Sequence, residues 1–382
     1  MNLLTIDGSE GEGGGQMLRT ALGLSVATGT PFRMVRLRAG RSKPGLLRQH
    51  LACVEALAQV GAARTSGATL GSETLEFAPT TNSGGELRVA IGSAGSTLLV
   101  VQALLPALLS GRAPARVTLE GGTHAAHAPP FEHTADVLVP WLRALGADVE
   151  VRLERHGFYP AGGGRVTLEV RPRPLRPAEL IAPPGPVTLT TTALVSGLPG
   201  KIGRQEVGAV GQALGLDRLA QRTVEVERPV GPGNALLVKA AFGVGTAEVF
   251  TAFGERGRPL SEVVEDALEQ LQAWRALPSA AGHPVGSYTA DQLLVPMALA
   301  GGGSFLTGPL SLHTTTNVEV MRRFLPHLQV RITPMAPPPE AGGAALTRVE
   351  LSVDRHGSRL VTPEATPALG GGDALSAAAR TE

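Results

Sequence analysis

Three stretches, widely separated in the chain, carry residue types that could act on phosphate. The first spans positions 7–19, Asp-Gly-Ser-Glu-Gly-Glu-Gly-Gly-Gly-Gln-Met-Leu-Arg, between an apolar strand at 3–6 and an apolar helix. A glycine-rich strand-to-helix turn can bring backbone N–H groups and a helix N-terminus close to phosphate. Here there is no Lys-Ser/Thr pair of the Walker type, the glycine spacing does not fit the dinucleotide fingerprint, and Glu10 and Glu12 sit where an anion would go. A phosphate bound at this turn needs a divalent cation between itself and a carboxylate. A structural turn whose acids solvate a helix start would use the same residues. The second stretch is basic: Arg33, Arg36, Arg38, Arg41, Lys43 and Arg48 fall within 33–48, which contains no acid. Guanidinium groups clamp phosphate oxygens bidentately, and Arg38 and Arg41, in the Gly-Pro loop, fit that role better than Arg33 and Arg36, which a solvated strand edge explains. The third is His313, flanked by hydroxyls and followed by Asn317 as the expected N-cap of a helix. A neutral imidazole is a competent nucleophile toward phosphorus.

The other eight histidines are weaker candidates. His124 and His127 are spaced like two metal ligands, but no third ligand stands nearby in sequence. His156 opens His-Gly-Phe-Tyr-Pro-Ala-Gly-Gly-Gly and reads as structural or substrate-lining, while His50 lies in an apolar helix and reads as a core or supporting residue. The single cysteine, Cys53, excludes an intrachain disulfide and a cysteine-based zinc cluster, and its apolar neighbours make it a core residue. None of the three lysines, Lys43, Lys201 and Lys239, stands in a Lys-x-Asp-Gly context, which argues against a lysine-adenylate mechanism.

Composition bounds the partners. A formal net charge of +1 argues against a globally basic nucleic-acid binder, so a polyanion must be met by local patches. Aromatic residues at 3% cannot build broad base-stacking platforms. The 382 residues, 43% hydrophobic, suffice for two or three domains with a true core. No charged segment precedes an apolar one at the N-terminus and no apolar run is long enough to span a bilayer, so the reading is a cytoplasmic protein without a membrane partner.

The elements that must position these residues show self-similarity. A Gly-Ser turn opening a helix of small apolar residues occurs at 8–22, at 92–105 and at 286–299. After each comes a strand (32–37, 115–119, 304–306), a polar loop, a second helix (46–60, one ending near 145, and 318–325) and a closing strand (74–77, 165–170, 348–353). About a hundred extra residues separate the second and third copies, with strands at 187–195, 224–227, 236–241 and 248–253, helices at 203–214 and 260–277, and proline-rich flanks. The chain therefore reads as an α/β (α+β) protein. A large three-repeat domain covers 1–174 and 285–354, and a smaller α/β domain is inserted at 175–284. The tail at 355–382 lacks apolar pattern and is expected to be disordered.

Several motifs, in order, resemble one family: Gly-Glu-Gly-Gly-Gly-Gln at 11–16, Arg-Ala-Gly-Arg at 38–41, Lys-Pro-Gly-Leu-Leu-Arg-Gln-His at 43–50, Gly-Ser-Ala-Gly-Ser at 92–96, the nine residues from His156, Gly-Pro-Gly-Asn at 231–234 and Ala-Asp-Gln at 290–292. Together they resemble RNA 3'-terminal phosphate cyclase over about 1–353. The resemblance implies three repeated two-helix, four-strand units like the C-terminal domain of bacterial translation initiation factor three. It also implies ATP-dependent conversion of an RNA 3'-phosphate to a 2',3'-cyclic phosphodiester. His313 would be adenylylated on Nε2 and Glu12 would bind the divalent metal, Mg²⁺ or Mn²⁺. Arg19, Arg38 and Arg41 would meet phosphates, while Gln49, Gln102, Pro130, Tyr288, Thr289, Ala290, Asp291 and Gln292 would line the nucleotide. His124 departs from the Asp or Asn that family members often carry there. An RNA with a 3'-phosphate end is the implied partner, and either a monomer or a homodimer is compatible. Two other readings share the architecture: a catalytically dead cyclase-like ribosome-assembly factor, against which His313 speaks, and an enolpyruvyl transferase, against which Arg-Ala-Gly-Arg and Ala-Asp-Gln speak.

Overall fold

The computed structural model describes residues 3–243, 245–335 and 345–354; the tail expected to be disordered lies outside them. The first unit runs β1 (Leu4–Asp7), α1 (Gly15–Thr28), β2 (Phe32–Val35), α2 (Arg48–Gly61), β3 (Arg64–Ser66) and β4 (Leu75–Ala78). A second stretch runs β5 (Gly85–Ala90), α3 (Thr97–Leu109) and β6 (Ala115–Gly121), then α4 (Phe131–His133), a π-turn at Thr134–Leu138 and α5 (Val139–Ala144), and ends in β7 (Asp148–Arg155) and β8 (Gly164–Arg171). Next come β9 (Ala178–Leu180), then β10 (Thr188–Ser196), α6 (Lys201–Leu214), β11 (Gln221–Glu225), β12 (Gly233–Ala241), β13 (Ala247–Phe253) and α7 (Leu260–Arg275). The chain then continues through α8 (Ser287–Ala300), β14 (Gly302–Thr307), α9 (Leu312–Phe324), β15 (Leu328–Met335) and β16 (Leu346–Val353).

Four four-stranded mixed sheets result, ordered β1-β2-β4-β3, β5-β6-β8-β7, β9-β14-β16-β15 and β11-β10-β12-β13. In all four, one edge pair is parallel and the remaining pairs are antiparallel. β9, which falls in the stretch read as an inserted domain, pairs in parallel with β14. The strands that periodicity did not find, β3, β5, β7, β9 and β15, are all sheet edges. β3 and β9 are only three residues long, too short for a period, and all three residues of β3 are exposed; β5, β7 and β15 do alternate apolar and polar residues, as strands with one solvated face should.

The helices α1, α3 and α8 meet at the centre and are apolar on nearly every side. Only Gly15 and Arg19 escape burial on α1, only Leu99 and Gln102 on α3, and only Ser287, Tyr288, Asp291 and Gln292 on α8. Small residues let these helices approach: a Cβ on Gly23 of α1 would stand 2.7 Å from the Ala103 carbonyl oxygen and 2.9 Å from Pro106 Cγ. No helix among the described residues is long and apolar enough to cross a membrane.

Because backbone at Ala103 cannot yield as a side chain could, Gly23→Ala should destabilise the protein by about 1–3 kcal/mol. Urea denaturation monitored by circular dichroism measures this, and an unchanged midpoint would contradict the close approach.

Candidate active site

The N-terminal ends of α1, α8 and α9 converge on a polar cluster. His313 is not a loop residue. α9 begins at Leu312, six residues earlier than the start at 318 that periodicity suggested, so His313 lies in its first turn. Its N-cap is Ser311, whose hydroxyl accepts from the Thr314 N–H at 3.1 Å, and not Asn317, which is buried inside the helix. The polar run from His313 to Asn317 resembles a loop in composition but closes hydrogen bonds on neighbouring helices.

Those bonds organise the site. His313 Nδ1 lies 2.6 Å from Gln16 Oε1 and 3.8 Å from Glu12 Oε1. Gln16 Nε2 donates to Asp291 Oδ1 in a short contact. Asn317 Nδ2 donates to both Asp291 Oδ1 and the Asp291 carbonyl oxygen at 3.1 Å, and Thr20 Oγ1 donates to Asn317 Oδ1 at 2.7 Å. The Glu12 N–H donates to Thr316 Oγ1 at 3.0 Å. With the amide of Gln16 given to Asp291, its carbonyl oxygen faces His313 and accepts from Nδ1–H. In the neutral ring this leaves the Nε2 lone pair free. Half of the imidazole side chain, 53%, remains exposed to an incoming ligand.

Glu12 is held by Arg41, whose guanidinium contacts Oε1 closely, while its other oxygen, Oε2, is buried without a hydrogen-bond partner. The Arg19 Nε is buried and likewise unpartnered, and burial lowers the pKa of its guanidinium despite nearby Asp291 and Glu12. Two orphaned polar atoms of opposite character at one site mark a place prepared for a charged ligand. Burial raises the Asp291 carboxyl to about 6, against the pull of Arg19 and its hydrogen bonds. A lone carboxylate with free oxygen suits Mg²⁺ or Mn²⁺ shared with phosphate oxygens. Among the described residues no three His, Cys, Asp or Glu side chains gather as a self-sufficient metal cage.

The remaining expected residues divide. Arg38, at φ +56°, turns its Nη1 onto the carbonyls of Lys43 (2.6 Å) and Gly45 (2.9 Å), and Arg33 and Arg36 pair with Glu76 and Asp7 across the first sheet. Gln49 Oε1 accepts from the Ser96 N–H at the start of α3 at 2.7 Å, and Pro130 is the buried N-cap of α4. Gln102, Tyr288, Asp291 and Gln292 are four of the few positions that the central helices leave unburied, with Arg19 a fifth. Thr289 and Ala290, in contrast, are fully inside the protein, 0% and 1% exposed. Cys53 is buried on α2 and burial pushes its thiol up to about 12, which removes it as a nucleophile. His50 caps α2 by accepting from the Leu47 N–H at 3.1 Å; burial, with Arg38 and Arg19 nearby, lowers it to about 3. His124 does not pair with His127 but lies 2.8 Å from Glu132 and stacks on His156, ring centres 5.4 Å apart.

Gln16, Thr20 and Thr316 had no assigned role in the sequence reading, and Asn317 was read only as a helix N-cap. Part of the signal was present: Gln16 and Thr20 are polar residues at spacing i, i+4 on an otherwise largely apolar helix, and His313, Thr316 and Asn317 share one face of α9 at i, i+3, i+4.

The family model described as "RNA 3'-terminal phosphate cyclase" matches residues 10–332. A curated relative of that name from Ectopseudomonas mendocina is 45% identical over 85% of this chain and 93% of its own. Those from Koribacter versatilis (43% identical, 85% and 91% covered) and Ralstonia nicotianae (45%, 86% and 93%) bear the same name. The chain belongs to the RNA 3'-terminal phosphate cyclase family. The family is one of ligase-type enzymes. Within this cyclase-family chain the matched region includes Glu12, Gln16, Asp291 and His313, the residues that the fold brings together.

Histidine His133 provides a pH test of the surrounding core. It is buried, and burial lowers it to about 4, so the folded protein holds the ring neutral while the unfolded chain takes up a proton below about 6.5. The stability this represents is complete above pH 6.5 and is lost as pH falls toward 4, up to about 3 kcal/mol. Urea midpoints of wild type and His133→Gln measured between pH 7 and 4 should diverge accordingly, wild type losing more; parallel curves would contradict a neutral His133.

Proposed function

We propose that the chain catalyses ATP-dependent cyclisation of an RNA 3'-terminal phosphate to a 2',3'-cyclic phosphodiester through a covalent histidine–AMP intermediate. Family membership supports the overall reaction. The observation that carries the mechanism is the Asp291–Gln16–His313 chain, which presents an unprotonated Nε2. In the first step Nε2 of His313 attacks the α-phosphorus of ATP, a P–N bond forms, and the P–O bond to pyrophosphate breaks. Nδ1–H stays on Gln16, so the phosphorylated ring is cationic and a good leaving group. An oxygen of the RNA 3'-phosphate then takes AMP from His313, giving RNA(3')pp(5')A and restoring the neutral imidazole. The neighbouring 2'-hydroxyl attacks the activated phosphorus, loses its proton, and AMP leaves. Proximity favours this ring closure, and adenylylation supplies the leaving group that a phosphate monoester lacks.

Glu12 would hold the divalent cation through its unpartnered Oε2; bound there, such an ion supplies positive charge beside the phosphate oxygens. Arg19 and Arg41 add charge on the same side, and Arg38 lies one turn of loop away. Gln102, Pro130, Tyr288, Asp291 and Gln292 are assigned to the nucleotide, with Gln49, Thr289 and Ala290 shaping the walls from behind.

We assign the first three sheets to three repeats, each opened by one of α1, α3 and α8 and resembling the C-terminal domain of translation initiation factor three, and the β10–β13 sheet, which shares their pairing pattern, to the smaller inserted domain. A single cysteine, buried and free, is in keeping with a cytoplasmic setting.

Incubation with α-labelled ATP and Mg²⁺ or Mn²⁺ should leave acid-labile label on the protein, and an RNA 3'-phosphate should chase it. His313→Ala should lose the label entirely, Gln16→Leu should cut the rate by about 10²-fold, and chelation should abolish it. Wild-type labelling of His313→Ala would overturn the assignment.

A further inference from the structure

The first two turns of α8 carry Tyr288, Asp291 and Gln292, but the N-cap Gly286 offers no side-chain cap and the first turn has no acid of its own. What it lacks comes from another sheet. Glu248, on β13 and 3% exposed, accepts from the Gly286 N–H through Oε1 at 2.9 Å and from the Thr289 hydroxyl through Oε2 at 3.1 Å. Thr289 Oγ1 in turn lies 3.1 Å from His133 Nε2 on α4. With its single proton given to Glu248, the hydroxyl accepts from His133, which fixes the Nε2–H tautomer and leaves Nδ1 buried and unpartnered. One chain of hydrogen bonds therefore joins the β10–β13 sheet to α8 and to α4.

We infer that Glu248 is a positioning residue for the nucleotide site, fixing the first turn of α8 against α4 through Gly286, Thr289 and His133. This rests on the reading that Tyr288, Asp291, Gln292 and Pro130 line the nucleotide. Pro130 is the N-cap of α4, and His133 closes that short helix. Tyr288 precedes Thr289 and packs edge-on against His133, ring centres 6.4 Å apart at 76°. The two walls assigned to the nucleotide thus each neighbour a member of the same chain. A second contact keeps the sheet seated: Lys239 on β12 pairs with Asp136 in the π-turn at 2.8 Å. The carboxylate is also costly where it stands, since burial drives it up to about 7 against its two hydrogen bonds. A fully apolar junction would be easier to stabilise, which is what one expects of a group retained for geometry. The β10–β13 sheet therefore contributes to nucleotide binding without touching the nucleotide.

Kinetics of covalent label formation from ATP test the role. Glu248→Ala should raise the ATP KM about tenfold with kcat changed less than about threefold, and leave the KM for a 3'-phosphate RNA unchanged. Thr289→Val should do the same. The double variant should be no worse than either single one, since both break one chain. Glu248→Gln keeps an acceptor for Gly286 and should recover most of the ATP affinity; as the gentlest change it keeps the test open if Glu248→Ala does not fold. Wild-type ATP KM in Glu248→Ala and Thr289→Val, or additive effects in the double variant, would overturn the positioning role. Failure of the wild type itself to take label would overturn the underlying functional reading instead.

Discussion

The polar seam between the N-terminal ends of α1, α8 and α9 is the constraint on which the rest of the site depends. Gln16, Asp291, His313, Asn317 and Thr20 satisfy one another within a largely apolar surround. Inside a protein an unmade hydrogen bond costs more than a made one gains, so these helices have one register in which all partners are met. The opening turn is fixed to the same seam. Gly11, at φ +55°, passes so close to Thr316 that a Cβ would strike its side chain, and there the Glu12 N–H reaches the Thr316 hydroxyl. The glycines thus serve the contact between α1 and α9 before they serve any phosphate.

Around that seam the central helices supply rigidity. α1, α3 and α8 bury almost every position, so their relative placement is set by close packing rather than by loops. Apart from Gly15 and Leu99, the few positions they leave open carry polar groups, and on α1 and α8 these adjoin the seam at Arg19 and Asp291. An opening lined by residues on packed helices holds its shape better than one built on loops, which suits chemistry that depends on in-line geometry at phosphorus. The neighbouring sheet adds to this by capping α8 from outside, through a carboxylate whose burial is offset by the helix N-terminus.

Electrostatics at the site are left deliberately incomplete by the protein's own groups. Arg41 engages one oxygen of Glu12, yet the other oxygen and the Arg19 Nε are buried without partners. A nucleotide phosphate with a divalent cation would complete both, so binding is favoured by groups already desolvated and in place.

Much of this was legible in the sequence. The Gly-Ser helix openings, the buried strands and the second helices all announce themselves by periodicity, and so do the glycine-rich turn, the basic loop and His313 as separate candidates for phosphate chemistry. The edge strands β3 and β9 did not, because three residues are too few for a period, whereas β5, β7 and β15 carry a clear alternation that the reading by repeated units assigned to no strand. The start of α9 was misjudged because its polar first turn looks like a loop until its partners on α1 and α8 are known. Likewise Arg33, Arg36, Arg38 and Arg41 are indistinguishable as a basic run, and only the fold sends the first two to Glu76 and Asp7, the third to backbone carbonyls and the fourth to Glu12. The sequence by itself determined which residue types the chain brings to phosphate and the periodicities that bury its helices. Only the tertiary structure decided that Glu12 and His313, three hundred residues apart, share one site, which ring nitrogen is free, and that Glu248 from a separate sheet holds α8. Hydrogen bonds and burial between distant segments leave no periodic trace along a chain, and so they become readable only once it is folded.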